Sequence, residues 1–296
     1  MRVYVTGATG FVGSAVVKDL LKAGHEVLGL TRSDRGAEEL RQQGADVHRG
    51  DLDDIQSVAA GAKDVDGVIH TAFNHDFSRY RESCEADRAI IAAIGDAIGS
   101  GGKPFIITSG IGLLAGGKLL TEDMRSLVDS SVMPRIASEE AAAAEVAKGV
   151  NVSVVRLPPS VHDKGDHGFV PILISIAKEK GISAYVGEGQ NRWPGVHRPD
   201  AASLFRLAVE KGSKGEHYHA IGDGGIPFRE IATLIGDKLG LPVKSVTGEA
   251  VAENFGWFAH FASLDVPASA AWTKQRLGWK PQGMGLLEDI EKNYFG

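Results

Sequence analysis

The tightest constraint on this chain lies at its start. A short apolar run, Arg2–Thr6, breaks into the glycine-spaced turn Thr6-Gly7-Ala8-Thr9-Gly10-Phe11-Val12-Gly13. Directly behind it, Phe11–Ala23 carries apolar residues at helical spacing, and Gly24 stands where a C-terminal cap belongs. A strand, a glycine turn and a helix thus follow one another without a spacer.

The alternation continues. Glu26–Leu30 reads as a strand, Asp34–Gln43 as a charged helix closed by Gly44, and Asp46–Arg49 as a third strand. Asp53–Ala60 is a short helix capped by Asp51 or Asp53. The strand Gly67–His70 leads to a long helix, Arg79–Ile98, ended by Gly99 to Gly102. Pro104–Thr108 is the fifth strand, Ser138–Ala147 a strong helix former and Val152–Arg156 the sixth strand. Short apolar strands alternating with helices imply parallel strands covered on both faces, an α/β doubly wound sheet of the Rossmann type. After Pro158-Pro159, glycines, histidines and aromatics cluster in loops between helices near Val170–Lys180, Asp200–Lys211 and Phe228–Leu239. The expected division is a dinucleotide-binding domain over 1–160 and a smaller substrate-binding region over 161–296. Segments near Val196–Lys211 are expected to pack back on the sheet.

Composition removes several alternatives. With 296 residues and 43% hydrophobic content the chain can bury a large core. A net charge of −6 offers no footprint for nucleic acid or an anionic membrane. No apolar run approaches the roughly 18 residues of a membrane span, and Arg2-Val3-Tyr4-Val5 is no leader, so a cytoplasmic location is expected. Cys84 is the one cysteine, set among acidic neighbours that disfavour a thiolate, and it reads as structural.

In its strand–turn–helix context the glycine motif reads as a dinucleotide site. Gly7 allows the tight turn, Gly10 admits the pyrophosphate, and Gly13 lets helix pack on strand, with Thr9, Phe11 and Val12 beside the phosphates. An NAD site normally ends its second strand on an acid. Here Leu30-Thr31-Arg32-Ser33 offers Arg32 for a bidentate pair with a 2′-phosphate and Ser33 for a further bond, so NADP(H) is expected over NAD(H). Asp51 and Leu52 follow the third strand, where Asp51 either accepts from the adenine amino group or caps a helix. Thr71, Ala72 and Phe73 end the fourth strand at the ligand-binding edge, and Pro158 follows the sixth.

These segments resemble the short-chain dehydrogenases/reductases, in particular the extended branch labelled NAD-dependent epimerase/dehydratase-like. The turn at 6–13 matches that branch. Gly50-Asp51-Leu52-Asp53, His70-Thr71-Ala72, Thr108-Ser109-Gly110, Arg156-Leu157-Pro158-Pro159 and Arg276-Leu277-Gly278-Trp279-Lys280-Pro281 fall where it has comparable segments. The resemblance implies an NADP(H)-binding Rossmann domain, a small C-terminal substrate domain and homodimers. It also implies a Tyr-x-x-x-Lys pair, which no tyrosine here supplies. Aligning Ser138 with the serine before the family lysine puts Arg135 at the tyrosine position and Glu139 at the lysine position. Gly110 falls where the catalytic serine belongs, with Ser109 one residue early. The chain is thus similar to the atypical members that keep the cofactor site and replace the usual active residues.

Arg135 stays protonated and cannot act as a base, but it can polarise a carbonyl, or merely pair with Glu139 four positions on. Histidines are the candidates for proton transfer. Ser109, Arg135 and His162 form the expected catalytic set, with His167, Trp193 and His197 lining the substrate pocket. The spacing of His162 and His167 fits no standard zinc arrangement, so no metal is expected. The expected activity is an NADPH-dependent reductase or dehydrogenase acting on a small carbonyl or alcohol, aromatic or alicyclic. A silent NADP(H)-binding sensor and an epimerase or dehydratase with tightly held nucleotide are the rival readings. Arg32→Ala is expected to lower the ratio of NADPH to NADH affinity. An unchanged ratio in a nicotinamide-fluorescence titration would remove Arg32 from the site.

Overall fold

The computed structural model describes residues 1–114 and 116–295. Its first half runs β1 (Arg2–Thr6), α1 (Phe11–Lys22), β2 (Glu26–Thr31), α2 (Asp34–Gln43), β3 (Asp46–Arg49) and α3 (Ile55–Ala60). There follow β4 (Gly67–His70), α4 (Tyr80–Ile98), β5 (Pro104–Gly110), α5 (Ala137–Ala147) and β6 (Asn151–Leu157). The expected strands and helices are all present, most within one or two residues of their anticipated ends. One cap differs: Asp54, not Asp51 or Asp53, accepts the Ser57 amide and starts α3. Asp51 is left free of that task at the end of β3.

The second half contains β7 (Ser160–His162), α6 (Phe169–Lys180), β8 (Ser183–Val186), β9 (Arg192–His197), α7 (Arg198–Lys211), β10 (His217–His219) and β11 (Asp223–Pro227). The chain ends with α8 (Phe228–Leu239), β12 (Val243–Val246), α9 (Glu249–Phe255), α10 (Ala259–Ala262), α11 (Ala271–Leu277) and α12 (Leu286–Asn293).

The main sheet has the order β10-β6-β5-β4-β1-β2-β3, all strands parallel. Strand order reverses between β1 and β4, and the crevice at that point is where open α/β sheets bind ligands. Apolar residues alternate across the sheet. Val3, Val5, Ile69 and Ile106 face α1 and α7, whereas Tyr4, Val68, Phe105 and Ile107 face α4 and α5. Because α7 and β10 belong to this layer, the chain returns to the sheet after its excursion at β7–β9. Both Leu277 and Trp279, far along the sequence, are buried in the same core.

The smaller lobe is built on a three-stranded sheet, β11-β9-β7, and a parallel pair, β12-β8. Its core gathers Val170, Leu173, Phe228, Ile231, Phe258 and Leu286 around Trp193. Trp193 is fully buried, packed against Phe169, Phe228 and Phe258, so it does not line a pocket as expected from its glycine- and histidine-rich surroundings. Among the described residues no helix is long and apolar enough to cross a membrane. Trp193→Ala should cost about 3–5 kcal/mol of stability, read from the chemical denaturation midpoint. Trp193→Phe should lose far less, since the indole N–H has no partner among the described residues.

Candidate active site

The glycine turn is a backbone-on-backbone contact. Gly7 has φ +67°, a conformation that favours glycine, and a Cβ there would sit 2.7 Å from the Ala72 amide nitrogen. A Cβ on Gly13 would sit 2.0 Å from the Gly7 carbonyl oxygen. Thr71 braces the turn from below, donating its hydroxyl to the Thr6 carbonyl at 2.8 Å. No side chain caps α1 at Gly10, so the first-turn N–H groups face outward with the positive end of the helix. Thr9 and Gly10 are exposed beside them. These residues fit a pyrophosphate: a cradle that any side chain would fill, under an uncapped helix start.

Two basic side chains join this end of α1, one from the start of α7 and one from the loop before α6. The Arg198 guanidinium lies 4.6 Å over the Phe11 ring, and its buried Nε has no partner among the described residues. His167 meets the same ring edge-on at 5.7 Å. Arg198 is not foreshadowed by the sequence motif, because its neighbour Phe11 lies nearly two hundred residues away.

At the end of β2, Arg32 is 75% exposed in its side chain and touches Asp51 at 3.5 Å. Such a surface pair contributes at most about 1 kcal/mol and gives way easily to a stronger anion. Ser33 caps α2, its hydroxyl oxygen accepting from the Gly36 amide at 3.0 Å, which leaves its O–H to donate elsewhere. Leu52 packs partly buried against the core on the α4 side. Pro158 is buried between β6 and β7.

Across the crevice lies a buried polar network that the sequence did not announce. Asp87 of α4 is buried, and its Oδ1 lies 2.9 Å from His70 Nε2. His70 Nδ1 in turn lies 2.6 Å from the Thr6 hydroxyl, at the root of the glycine turn. The other carboxylate oxygen takes hydrogen bonds from the Ser138 hydroxyl and from Arg135 Nη1, the latter at 3.1 Å. Arg135 also donates to Ser138 Oγ and, through Nη2 at 3.0 Å, to the Thr108 carbonyl. Burial alone would raise the Asp87 carboxyl, but the Arg135 guanidinium and the His70 and Ser138 hydrogen bonds outweigh it and hold it below its ordinary range. The planar guanidinium lies 4.3 Å over the Phe73 ring at the carboxyl edge of the sheet. Arg135 is therefore paired with Asp87, not with Glu139.

Glu139 serves a second ion pair. Arg156, fully buried, donates to it from Nε and Nη2, both at 2.8 Å, and Ser109 donates its hydroxyl at 2.6 Å. Burial favours the neutral acid, yet the Arg156 and His217 hydrogen bonds push the Glu139 carboxyl far down. Ser109 is thus tied to Glu139 on the α5 side of β5 and buried, which turns its hydroxyl away from the crevice.

The histidines separate. His162 is not in a loop: it ends β7, fully buried, with Nδ1 2.8 Å from Asp289 of α12. His197 lies beside it, ring centres 5.7 Å apart, and reaches Asp163 at 3.7 Å. Only His167 of the three stands by the glycine turn. His75, outside the expected site set, lies in the loop after β4 beside Phe73. Its ring lies 5.2 Å from that of Phe73, and desolvation together with the Arg135 charge lowers its pKa from the ordinary imidazole value. Cys84, buried in α4, has its thiol pushed up to about 11 by burial and is no nucleophile at neutral pH.

Fold and crevice together define a Rossmann-type nucleotide-binding protein. The model of the NAD dependent epimerase/dehydratase family matches residues 3–93. An uncharacterized protein of Schizosaccharomyces pombe is 48% identical over the whole of both chains. A 2-alkyl-3-oxoalkanoate reductase of Stenotrophomonas maltophilia is 27% identical, covering 82% of this chain and 77% of its own. The solved structure of a dTDP-glucose 4,6-dehydratase of Streptomyces venezuelae, with NAD bound, superposes with a TM-score of 0.76 at 20% identity, covering 99% and 95% of the two chains. The chain belongs to the NAD-dependent epimerase/dehydratase family, as an atypical member of the short-chain dehydrogenase/reductase superfamily.

Arg198→Met, which keeps an aliphatic stem over Phe11, should weaken NADPH and NADH binding alike by about tenfold, the value of one charge-assisted contact. A fluorescence titration showing unaltered affinity for both would take Arg198 out of the cofactor site.

Proposed function

We propose that this protein is an NADP(H)-dependent oxidoreductase that interconverts a small carbonyl compound and its alcohol, with Arg135 in place of the family tyrosine. The preference for NADP(H) is supported by Arg32, exposed and only weakly engaged at the end of β2. When bound there, the nicotinamide supplies the hydride to the carbonyl carbon or takes it from the alcohol carbon.

The observation that carries the reading is the fixed Arg135 guanidinium. Three of its N–H bonds are spent on Asp87, Ser138 and Thr108. Of its five donors, two remain without a partner among the described residues. A carbonyl oxygen that accepts from them gains a preorganised cation as negative charge develops on it, the electrostatic assistance that dominates such steps. Asp87 and the Phe73 ring hold the guanidinium in place, so no reorganisation is needed at that moment.

Arg135 cannot release a proton, so the proton on oxygen has to come from another group. His75 fills this role: imidazole at the crevice, beside Phe73 and within the field of Arg135. In alcohol oxidation, neutral His75 accepts the hydroxyl proton; in carbonyl reduction its protonated form returns it. Since its pKa is lowered, oxidation should rise with pH through a midpoint below 6.5 and level off above, and reduction should fall over the same interval.

Purified protein with NADPH and a panel of small aldehydes and ketones should consume the cofactor, as followed by nicotinamide absorbance. No turnover with any of them would sink the reading. Arg135→Ala should lower kcat by about a hundredfold or more, the usual cost of removing one oxyanion donor. His75→Gln should abolish the acidic limb of the oxidation profile, and a limb that persisted would assign the proton to another group.

A further inference from the structure

The sheet face under α5 holds a cavity that the proposed chemistry does not use. α5 packs over β5 and β6, and its alanine run 141–144 gives it short side chains there. β10 extends the sheet beyond β6. Between α5, β6 and the turn before β10 lies a cavity of about 170 Å³, walled by Ala142, Ala143, Val146, Val152 and Val154. Arg125 and His217 complete its lining with Gly215, and it opens to solvent beside Ala143 and Arg125, both exposed. An apolar cavity of about 150 Å³ takes a benzene ring, so this one has room for a short hydrocarbon chain.

Arg125 sits on the loop before α5. Its Nη1 donates to two carbonyls of its own turn, Glu122 at 2.9 Å and Met124 at 3.0 Å. Its Nε and Nη2 have no partner among the described residues, and no carboxylate there pairs with it: Asp123 takes the Thr121 hydroxyl at 2.6 Å, and Glu139 is held by Arg156. The Nε–Nη2 edge of a guanidinium is a fork that matches the two oxygens of a carboxylate. Two other arginines of this chain use that edge in this way. Arg156 grips Glu139 with both nitrogens at 2.8 Å, and Arg192 grips Asp265 with both at 2.9 Å.

The neighbouring groups limit the charge of the ligand. His217 Nε2 lies 3.5 Å from Glu139, but burial and the Arg156 charge outweigh that contact and lower its pKa, so the ring is neutral at pH 7. Arg125 is thus the one uncommitted cation in the lining. A phosphate dianion or a dicarboxylate would bring a second negative charge toward Glu139 and the valines with no cation to meet it.

We propose that this cavity binds a small aliphatic monocarboxylate of about five to seven carbons, with its carboxylate on the Nε–Nη2 edge of Arg125 and its chain among Val146, Val152 and Val154. The site lies behind α5, away from the glycine turn, and does not depend on the oxidoreductase reading.

The full-length protein is titrated by calorimetry with sodium hexanoate, propanoate and adipate, and with hexan-1-ol. Hexanoate should bind at one site, about tenfold tighter than hexanol, the value of one charge-assisted fork. Propanoate should bind at least about tenfold more weakly, since each buried methylene is worth up to about fourfold. Arg125→Met should erase the preference for hexanoate over hexanol, and Arg125→Lys, which keeps the charge without the fork, should retain part of it. Ala143→Phe, on the exposed side of α5, should fill the opening and block both ligands. Arg35→Met, at the exposed Arg35–Glu39 pair of α2, should change nothing. An unchanged thermal midpoint for Ala143→Phe and for Arg125→Met separates loss of the site from loss of the fold. No saturable hexanoate binding, hexanol binding as tightly as hexanoate, adipate binding more tightly than hexanoate, or hexanoate affinity indifferent to both Arg125→Met and Ala143→Phe each overturns the proposal.

Discussion

The Asp87 carboxylate is the point at which the crevice is held together. It sits on α4, beneath the carboxyl edge of the sheet, and binds groups from β4, from α5 and from the short helical turn before α5. A buried carboxylate is tolerated only when its lone pairs are filled, and here His70, Ser138 and Arg135 fill them. Removing one partner would strand charge in the interior, a cost on the order of 3–5 kcal/mol. The position of Arg135 is therefore not an adjustable surface rotamer but a consequence of satisfying Asp87. Through His70 and Thr6 the same carboxylate is joined to the root of the glycine turn, so cofactor cradle and candidate electrophile share one rigid frame.

If Arg135 and Glu139 stand where the resembled family has its tyrosine and lysine, the charge logic of the site changes. A lysine beside a tyrosine lowers the phenol's pKa; a glutamate beside an arginine would cancel the arginine. The fold avoids that cancellation by giving each residue its own partner: Asp87 for Arg135 and Arg156 for Glu139. Glu139 is drawn to the α5 side of β5 together with Ser109, and the guanidinium of Arg135 stays at the edge over Phe73. Two separate ion pairs keep Glu139 from claiming the two Arg135 N–H bonds that have no partner among the described residues. On the proposed oxidoreductase reading Arg135 cannot move a proton, and that role falls to a histidine outside the family motif.

The fold was legible from local pattern alone, because caps and periodicity are short-range. Gly44 closes α2 and Gly99 closes α4 where glycine had been read as a stop, and short continuous apolar runs mark β4 and β5. The glycine turn was legible for the same reason: its three glycines lie within one turn and one strand. The rest of the site is made by pairs that sequence order conceals. Asp87 meets Arg135 across 48 residues, His162 meets Asp289 across 127, and nothing in either neighbourhood names the partner. His162 looked available because glycines surround it. Its strand instead buries it against α12, and Trp193, read as a pocket residue for the same texture, became the centre of the smaller lobe's core. His75 gave a signal that could have been used: an aromatic and a histidine just past the fourth strand, at the edge where parallel sheets bind ligands.

The smaller lobe's core and the rings of Phe77, Tyr80 and Trp257 are parts of one packing arrangement, and this explains how an exposed tryptophan keeps its place. Phe258 and Phe261 pack inward on Phe169, at 5.0 and 4.7 Å, and outward on Trp257. Trp257 thus stands on a buried aromatic floor that confines its two torsions. Phe77 lies on the opposite lobe and is anchored through Tyr80 to α4, the helix that carries Asp87. The Phe77 and Trp257 rings meet directly at 5.2 Å, so the smaller lobe bears on the Asp87 helix through Phe77 and Tyr80. Packing of the smaller lobe and placement of Arg135 are in this way mechanically continuous, with no charge required at the point of contact.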